Sequence, residues 1–544
     1  MAQTTSEGTD RRPDDGCEAE QPLALTARGW FHAACFLVAA VATSLIIRLS
    51  IPTVPDPDSF YHLRHAALYA ERGLTLSAFP WLAYSVISRF GADLGYGFHV
   101  LILPFAWLRD PVLGARLAAA LEIALAMVVF YWTMRRHAMA FAFAWPYMLI
   151  FFAPAIVYTV IQTRPQTLTM VSSALLLSFL LSGSAWGVFG ASAAISAIHL
   201  NAAAVVPVVV IVAAAVQAVV ARQWEWRKWL AAALGVAAGW ALRPNSLGAA
   251  RLLYVQTVVH ETVRQRQIPL LFGKEWSPVP SSALPGFFYV ILIWAATAVV
   301  FLAVLARHRK SMAPRDRAFL WSSLLLSIAC FIAAMVITKR TVPLWAAFSV
   351  MFIAKTFTLL LNPSDRRPGQ LLGEDARLIG GFATALLLVM MVFTGANQVL
   401  LRGGWTGSDP ARLKGAADWI RAHARPGEIV YNVNWDEFPE LFFWNTDQHY
   451  VSGLDPVFLY AYDEGLYWKA HHLQAGDATS RTWRAMAAQG AGEDTYTVIR
   501  KDFRASYLLL DKRRNIALDD FLRTDRRFTL GYEDARTTVF ELTG

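Results

Sequence analysis

Val54-Pro55-Asp56-Pro57-Asp58-Ser59-Phe60-Tyr61-His62-Leu63-Arg64-His65 follows directly on the first long apolar run of the chain, at 30–50. Two carboxylates therefore stand where a membrane helix surfaces into water. On a helix begun at Asp58, the positions Asp58, His62, His65, Tyr69 and Arg72 share one face, and Phe60, Leu63, Ala67 and Leu74 the other. The pattern predicts a helix lying on the bilayer, its acids and imidazoles turned to an aqueous site. A solvated helix capped by Asp58 accounts for the same residues.

The sequence on either side sets the class. Of 544 residues 56% are hydrophobic, 20 are Trp, and the mean hydropathy is +0.38. Eleven apolar runs are long enough to read as membrane helices: 30–50, 111–134, 139–160, 166–183, 185–199, 202–221, 228–243, 285–305, 318–337, 343–361 and 379–400. With the N-terminus in the cytoplasm, Arg135–Arg136, Arg222/Arg227/Lys228, Arg307/Arg309/Lys310 with Arg315/Arg317, and Arg366–Arg367 all fall on inner loops. That is the positive-inside pattern, and the net charge of +9 reads as topology rather than as a nucleic-acid surface.

Residues 1–28 are polar and read as a disordered cytoplasmic tail; they lack the layout of a cleaved signal. Residues 29–402 form the transmembrane domain, with outer loops at 52–110 and 244–284. An odd number of spans leaves 403–544 outside. The cysteines are Cys17, Cys35 and Cys330, so the outer part has no disulfide framework. No Walker loop, Gly-x-Ser-x-Gly elbow or Cys/His-rich metal cluster occurs.

The character changes after 402. Residues 410–424 read as an amphipathic helix, Glu428–Asn432 as a strand, Ser506–Leu510 and Thr537–Leu542 as strands, with a charged helix near 515–525. Alternating helix and strand predicts a small α/β domain. Within it, Asn434-Trp435-Asp436-Glu437-Phe438 and the residues to Asn445 are aromatic and acidic, as a core segment or a substrate-facing loop would be.

Other features share the outer face. Gln162-Thr163-Arg164-Pro165 places a guanidinium at a membrane turn, where it suits a phosphate or snorkels. His199-Leu200-Asn201 reads more readily as a satisfied helix-end polar pair than as a catalytic one. The 244–284 loop, with Glu261 and Glu275, is too long for a plain connector. Arg243 and Lys339–Arg340 add cations where the positive-inside rule disfavours them.

This layout resembles the GT-C membrane glycosyltransferases and, within them, the lineage of oligosaccharyltransferase catalytic subunits. Asp56-Pro57-Asp58 followed by Tyr61-His62-Leu63-Arg64 matches the Asp-x-Asp-type motif of their first outer loop. Asn434-Trp435-Asp436 stands at the place of their Trp-Trp-Asp motif, with Asn434 for the first Trp. Where they carry a second acidic motif, this chain has Gln162-Thr163-Arg164-Pro165, and their late-loop glutamate corresponds to Glu261 or Glu275.

The resemblance implies a polytopic α-helical fold of about eleven spans with an outer α/β domain, in the inner membrane, N-terminus inside. It further implies a lipid-linked sugar donor of the polyprenyl-phosphate type and an inverting transfer. Asp56 or Asp58 would be general base. His62, Arg64, His65, Arg164, Arg243, Glu261, Glu275, Arg340, Trp435 and Asp436 would face substrate or phosphate. A divalent metal, Mg or Mn, at Asp56 and Asp58 is an open alternative. The two departures favour an acceptor glycan, lipid or protein group other than a sequon asparagine, though a true oligosaccharyltransferase remains an alternative. A transporter or a non-catalytic envelope assembly protein is another; the former should show polar or broken mid-membrane helices.

Overall fold

A computed structural model describes residues 27–268, 270, 272–308, 312–361, 409–475 and 493–543. Its helices up to residue 361 are α1 (Ala27–Leu49), α2 (Asp58–Arg72), α3 (Val86–Phe90), α4 (Tyr96–Ala106), α5 (Pro111–Arg136), α6 (Trp145–Ile150), α7 (Pro154–Val160), α8 (Gln166–Ser182), α9 (Ala185–Ile198), α10 (Val205–Val216), α11 (Trp226–Ala241), α12 (Ser246–Tyr254), α13 (His260–Gln265), α14 (Phe288–His308), α15 (Pro314–Val336) and α16 (Val342–Leu361).

Six helical segments among the described residues are long and apolar enough to cross a membrane: Gly29–Leu49, Pro111–Arg136, Asn201–Ala221, Ser281–Ala306, Pro314–Val336 and Lys339–Leu361. The runs expected at 166–183, 185–199 and 228–243 are helices of 17, 14 and 16 residues. The run at 379–400 and the tail to residue 26 lie outside the described residues.

The run at 139–160 is not one helix. It divides into α6 and α7, with Ala153 extended (φ −156°, ψ 160°). Pro154 explains the division, because its ring disfavours helical geometry in the preceding residue and it has no N–H to continue the ladder. Irregular backbone within an apolar run needs a covered or cavity-lining position, and Phe151, Phe152 and Ala153 are buried.

Small residues set the tightest helix pair. A Cβ on Gly235 or Gly239 of α11 would lie 2.4 Å from the Phe189 carbonyl oxygen or 2.2 Å from that of Ala193 on α9. The four-residue glycine spacing lets the two backbones meet. At the end of that contact Arg243 donates to the carbonyls of Ser196 (2.8 Å), Ala197 (3.2 Å) and Asp93 (2.7 Å).

Residues 409–543 carry a five-stranded sheet in the order β2-β1-β3-β5-β4. The strands are β1 (Ile429–Asn432), β2 (His449–Tyr450), β3 (Ala505–Asp511), β4 (Phe528–Glu533) and β5 (Thr537–Leu542). β1 runs parallel to β2 and β3, while β5 is antiparallel to β3 and β4. The helices Lys414–His423 and Ile516–Thr524 occupy the places expected for them. The segment between α2 and α3 extends the sheet beyond β2: Tyr450 N–H donates to the Trp81 carbonyl and Ala83 N–H to that of Tyr450, each 2.8 Å.

That junction corrects the expectation for α2. Both faces of the helix are covered, so it does not lie on a bilayer surface. Phe60, Tyr61, His62, Leu63, His65, Leu68 and Tyr69 are all buried. α4 packs on one side and the helix Phe438–Trp444 on another, with Phe60 edge-on to Phe443 at 4.9 Å. Phe438, Leu441 and Phe442 are likewise core, against Phe79 and Trp81.

Candidate active site

The chain leaves α1 through a loop held by Arg48, whose guanidinium donates to the carbonyls of Ile51 (3.0 Å) and Thr53 (3.2 Å). Ser59 and Phe60 N–H groups bond to the carbonyls of Asp56 and Pro57, which starts α2. Asp58 thus stands in the first turn, where the positive end of the helix dipole favours a carboxylate.

The turn between α7 and α8 is fastened against it. Thr163 N–H donates to Ser59 Oγ (3.2 Å) and Thr163 Oγ1 to the Ala115 carbonyl (2.8 Å). Arg164 then reaches both acids, Nε to Asp56 and Nη2 to Asp58, with Nη1 3.9 Å from Glu275 Oε1. The guanidinium that the sequence placed at a membrane turn is therefore bound by carboxylates.

Glu275 arrives from the 244–284 loop. Its carbonyl accepts from Thr338 Oγ1 (2.8 Å), and Lys339 N–H donates to the Ser277 carbonyl (2.9 Å), which fixes this loop to the start of α16. Its carboxylate takes Arg340 Nη2 at 3.0 Å. Arg340 in turn lies over the Trp276 ring, 3.7 Å from its centre, the flat stacking that suits a guanidinium. The result is an alternating chain of charge, Asp56/Asp58–Arg164–Glu275–Arg340.

Burial is the largest influence on the two aspartates and raises both carboxyls, Asp56 to about 7, against the lowering pull of Arg164. Burial would also raise Glu275, but Arg164 and Arg340 outweigh it and bring that carboxyl to about 2. One proton thus resides near the aspartates up to neutral pH while Glu275 stays ionised.

Two cavities meet at this chain. One, about 530 Å3, has walls of Pro154, Ala155, Val279, Ala283, Phe287 and Val342 and ends at Asp56, Arg164, Glu275, Lys339 and Arg340. The break between α6 and α7 supplies part of its apolar wall. The other, about 80 Å3, is polar and includes Asp58, His62, His199, Asn201, Gln256 and Asp455. Arg164, Gln166 and Arg340 line both. An amphiphile with an anionic head fits the first, and a small hydrogen-bonding group the second.

Solved structures share this fold. ArnT from Cupriavidus metallidurans bound to undecaprenyl phosphate superposes with a TM-score of 0.52 at 17% identity, over 95% of this chain and 98% of that one. The same protein in the apo state gives 0.53 at 17% identity, over 94% and 98%. The chain has the GT-C fold. No family model matches it, and no curated protein does.

In this GT-C framework the residues singled out from sequence divide. Asp56, Asp58, Arg164, Glu275 and Arg340 form one cluster, and His62 lines the polar cavity. His65 lies behind it, its ring stacked on His99 at 4.4 Å. The rest are engaged elsewhere. Arg64 binds Glu71 (2.7 Å) and Thr446 (3.0 Å), Glu261 faces Arg264 (3.7 Å), and Arg243 holds backbone carbonyls. Asp436 takes Arg514 at 2.9 Å, and Trp435 lines a separate small pocket. Sequence reasoning missed Asp93 and His99, which stand behind His62. Their signal was Asp93-Leu94-Gly95, an Asx turn before a short apolar helix, in which Asp93 Oδ1 accepts from Gly95 N–H at 2.9 Å.

A divalent ion is a poor fit to these acids. Asp56, Asp58 and Glu275 converge on Arg164, so the oxygens that Mg or Mn would need already face a cation.

Proposed function

We propose that this protein is an integral membrane glycosyltransferase that takes a sugar from a polyprenyl-phosphate-linked donor. The observation that carries the reading is the meeting of an apolar cavity, cationic at its end, with a polar cavity across Asp56/Asp58 and Arg164. The GT-C fold and the undecaprenyl phosphate bound in the ArnT structure support a lipid-linked donor. On this reading the prenyl chain lies between α7 and the Ser281–Ala306 helix, and Arg164, Lys339 and Arg340 hold the phosphate.

Asp58, which lines the polar cavity, is the general base; Asp56 faces the donor side. The acceptor oxygen attacks the anomeric carbon opposite the phosphate, the carbon–oxygen bond to phosphate breaks with its electron pair leaving on phosphate, and the acceptor proton passes to Asp58. The configuration inverts. Phosphate competes with Asp58 for Arg164, so donor binding frees the base as it arrives. Arg164 performs the neutralising role of a metal. The site stands on the outer face of the inner membrane, with the N-terminus inside and residues 403–544 outside as an α/β domain.

The test is transfer by purified protein from a panel of polyprenyl-phosphate sugars to membrane-extract acceptors. Asp58→Asn should lower the rate at least about a hundredfold while the donor still binds, and EDTA should leave the wild-type rate unchanged. A well-folded wild type inert toward every donor would sink the reading. EDTA-sensitive transfer restored by Mg or Mn would restore the metal.

A further inference from the structure

Behind the polar cavity three side chains run inward in series. His62 Nδ1 lies 2.7 Å from His99 Nε2, and His99 Nδ1 lies 2.7 Å from Asp93 Oδ2. Asp93 also accepts from Tyr69 Oη (2.7 Å) on the same oxygen and from Gly95 N–H on the other. His62 and His99 are buried, and the Asp93 side chain is only 4% exposed.

The end of the series sets every proton in it. Burial would raise the Asp93 carboxyl, but His65, His99 and the Gly95 N–H hold it well below the usual carboxylate range. It is therefore an acceptor, and His99 must present Nδ1–H to it. With Nδ1–H spent on Asp93, the uncharged tautomer of His99 carries its lone pair on Nε2. Only Nδ1–H of His62 can meet that lone pair. Burial pushes His62 well below its ordinary value, so it is neutral, and with Nδ1–H turned to His99 its Nε2 is left bare.

The same ring geometry speaks against a metal held by His65, Asp93 and His99. The two imidazoles stack with planes 16° apart, so their in-plane lone pairs run side by side rather than to one point.

A bare nitrogen is one of several acceptors on this wall. Gln256 Oε1, Gln166 Oε1 and Asn201 Oδ1 are buried with no partner among the described residues, and all three residues line the cavity with Asp58. A wall of unmet acceptors calls for a ligand rich in hydrogen-bond donors.

We propose that Asp93, His99 and His62 form a relay that fixes His62 with a bare Nε2 toward the cavity, where it accepts from a hydroxyl of a polyhydroxylated, sugar-like acceptor. This rests on the transfer reading above and names its acceptor class. His62 binds a hydroxyl next to the attacking one, whose proton goes to Asp58.

The experiment uses octyl mannoside, whose polar groups are hydroxyls, and octyl phosphate as acceptors, with polyprenyl-phosphate sugars as donors. Asp93→Asn offers N–H to His99, reverses each proton along the relay and turns His62 Nε2 into a donor. The expected result is an acceptor KM for octyl mannoside raised about tenfold in Asp93→Asn and His62→Ala. Donor KM should be unmoved, and His62→Gln should lie within about threefold of wild type because its amide oxygen still accepts. The proposal is overturned by transfer to octyl phosphate in preference to the mannoside. It is overturned equally by an unmoved acceptor KM in Asp93→Asn and His62→Ala, or by donor binding lost together with acceptor binding in His62→Gln. A wild type inert toward both acceptors and membrane extract overturns the transfer reading itself.

Discussion

Arg164 holds both aspartates, and this one contact governs how the site answers to pH. The proposed base must be ionised to work, and burial raises both carboxyls, Asp56 to about 7. Activity should therefore rise with pH along an acidic limb that lies above that of a free carboxylate. Because the guanidinium lowers both carboxyls, Arg164→Gln should move that limb to higher pH, which rate profiles of the two proteins would reveal. A limb that stays put would remove Arg164 as the controlling charge. Arg340→Ala, which deletes a cation at the proposed donor cavity, should raise donor KM about tenfold to a hundredfold, as the loss of a charged hydrogen bond does. At this scale the acids and Arg164 were legible because charged residues beside apolar runs demand a partner. The partners themselves were not legible. Arg164 meets Asp56 and Asp58 across more than a hundred residues of sequence, and nothing local distinguishes it from Arg243, which a backbone contact consumes.

Among elements, the glycines of α11 matter most for position. Gly235 and Gly239 bring α11 against α9, and Arg243 then joins the ends of both helices to Asp93. Gly239→Val should part the helices, costing about 1–3 kcal/mol as overpacking does and loosening the loop that carries Asp93. Thermal unfolding of the detergent-solubilised protein would register the first effect and acceptor KM the second. An unchanged unfolding temperature would mean the helices adjust freely. Long apolar runs announced most membrane helices, since burial in lipid requires little more than composition. The division at Ala153 did not show because Pro154 sits within an otherwise unbroken apolar run. The strand β2 escaped notice because two residues carry no period, and the edge strand β4 because most of its residues are exposed.

For the whole molecule, the sheet and the helical part are one construction around α2. Trp81 Nε1–H donates to the Thr446 carbonyl at 2.8 Å, Arg64 reaches Thr446 Oγ1, and the Trp81 ring is buried against Phe442. Trp81→Ala should cost about 3–5 kcal/mol, the range for emptying a large aromatic site, and should raise the KM for both substrates because α2 carries the proposed base. A variant with normal kinetics would uncouple the two parts. The sequence implied two domains because composition changes after 402. It could not imply their union, since the bonds that make it are backbone groups of Trp81, Ala83 and Tyr450, which no side-chain pattern encodes.

The shared sheet edge makes the covalent link between the halves dispensable in principle. Residues 1–408 and 409–544, produced together as separate polypeptides, should find each other through the vacant strand position at Trp81–Ala83, copurify, and regain activity. The second piece made alone should instead aggregate, its unpaired edge and the Phe438/Phe442 surface left without their counterpart.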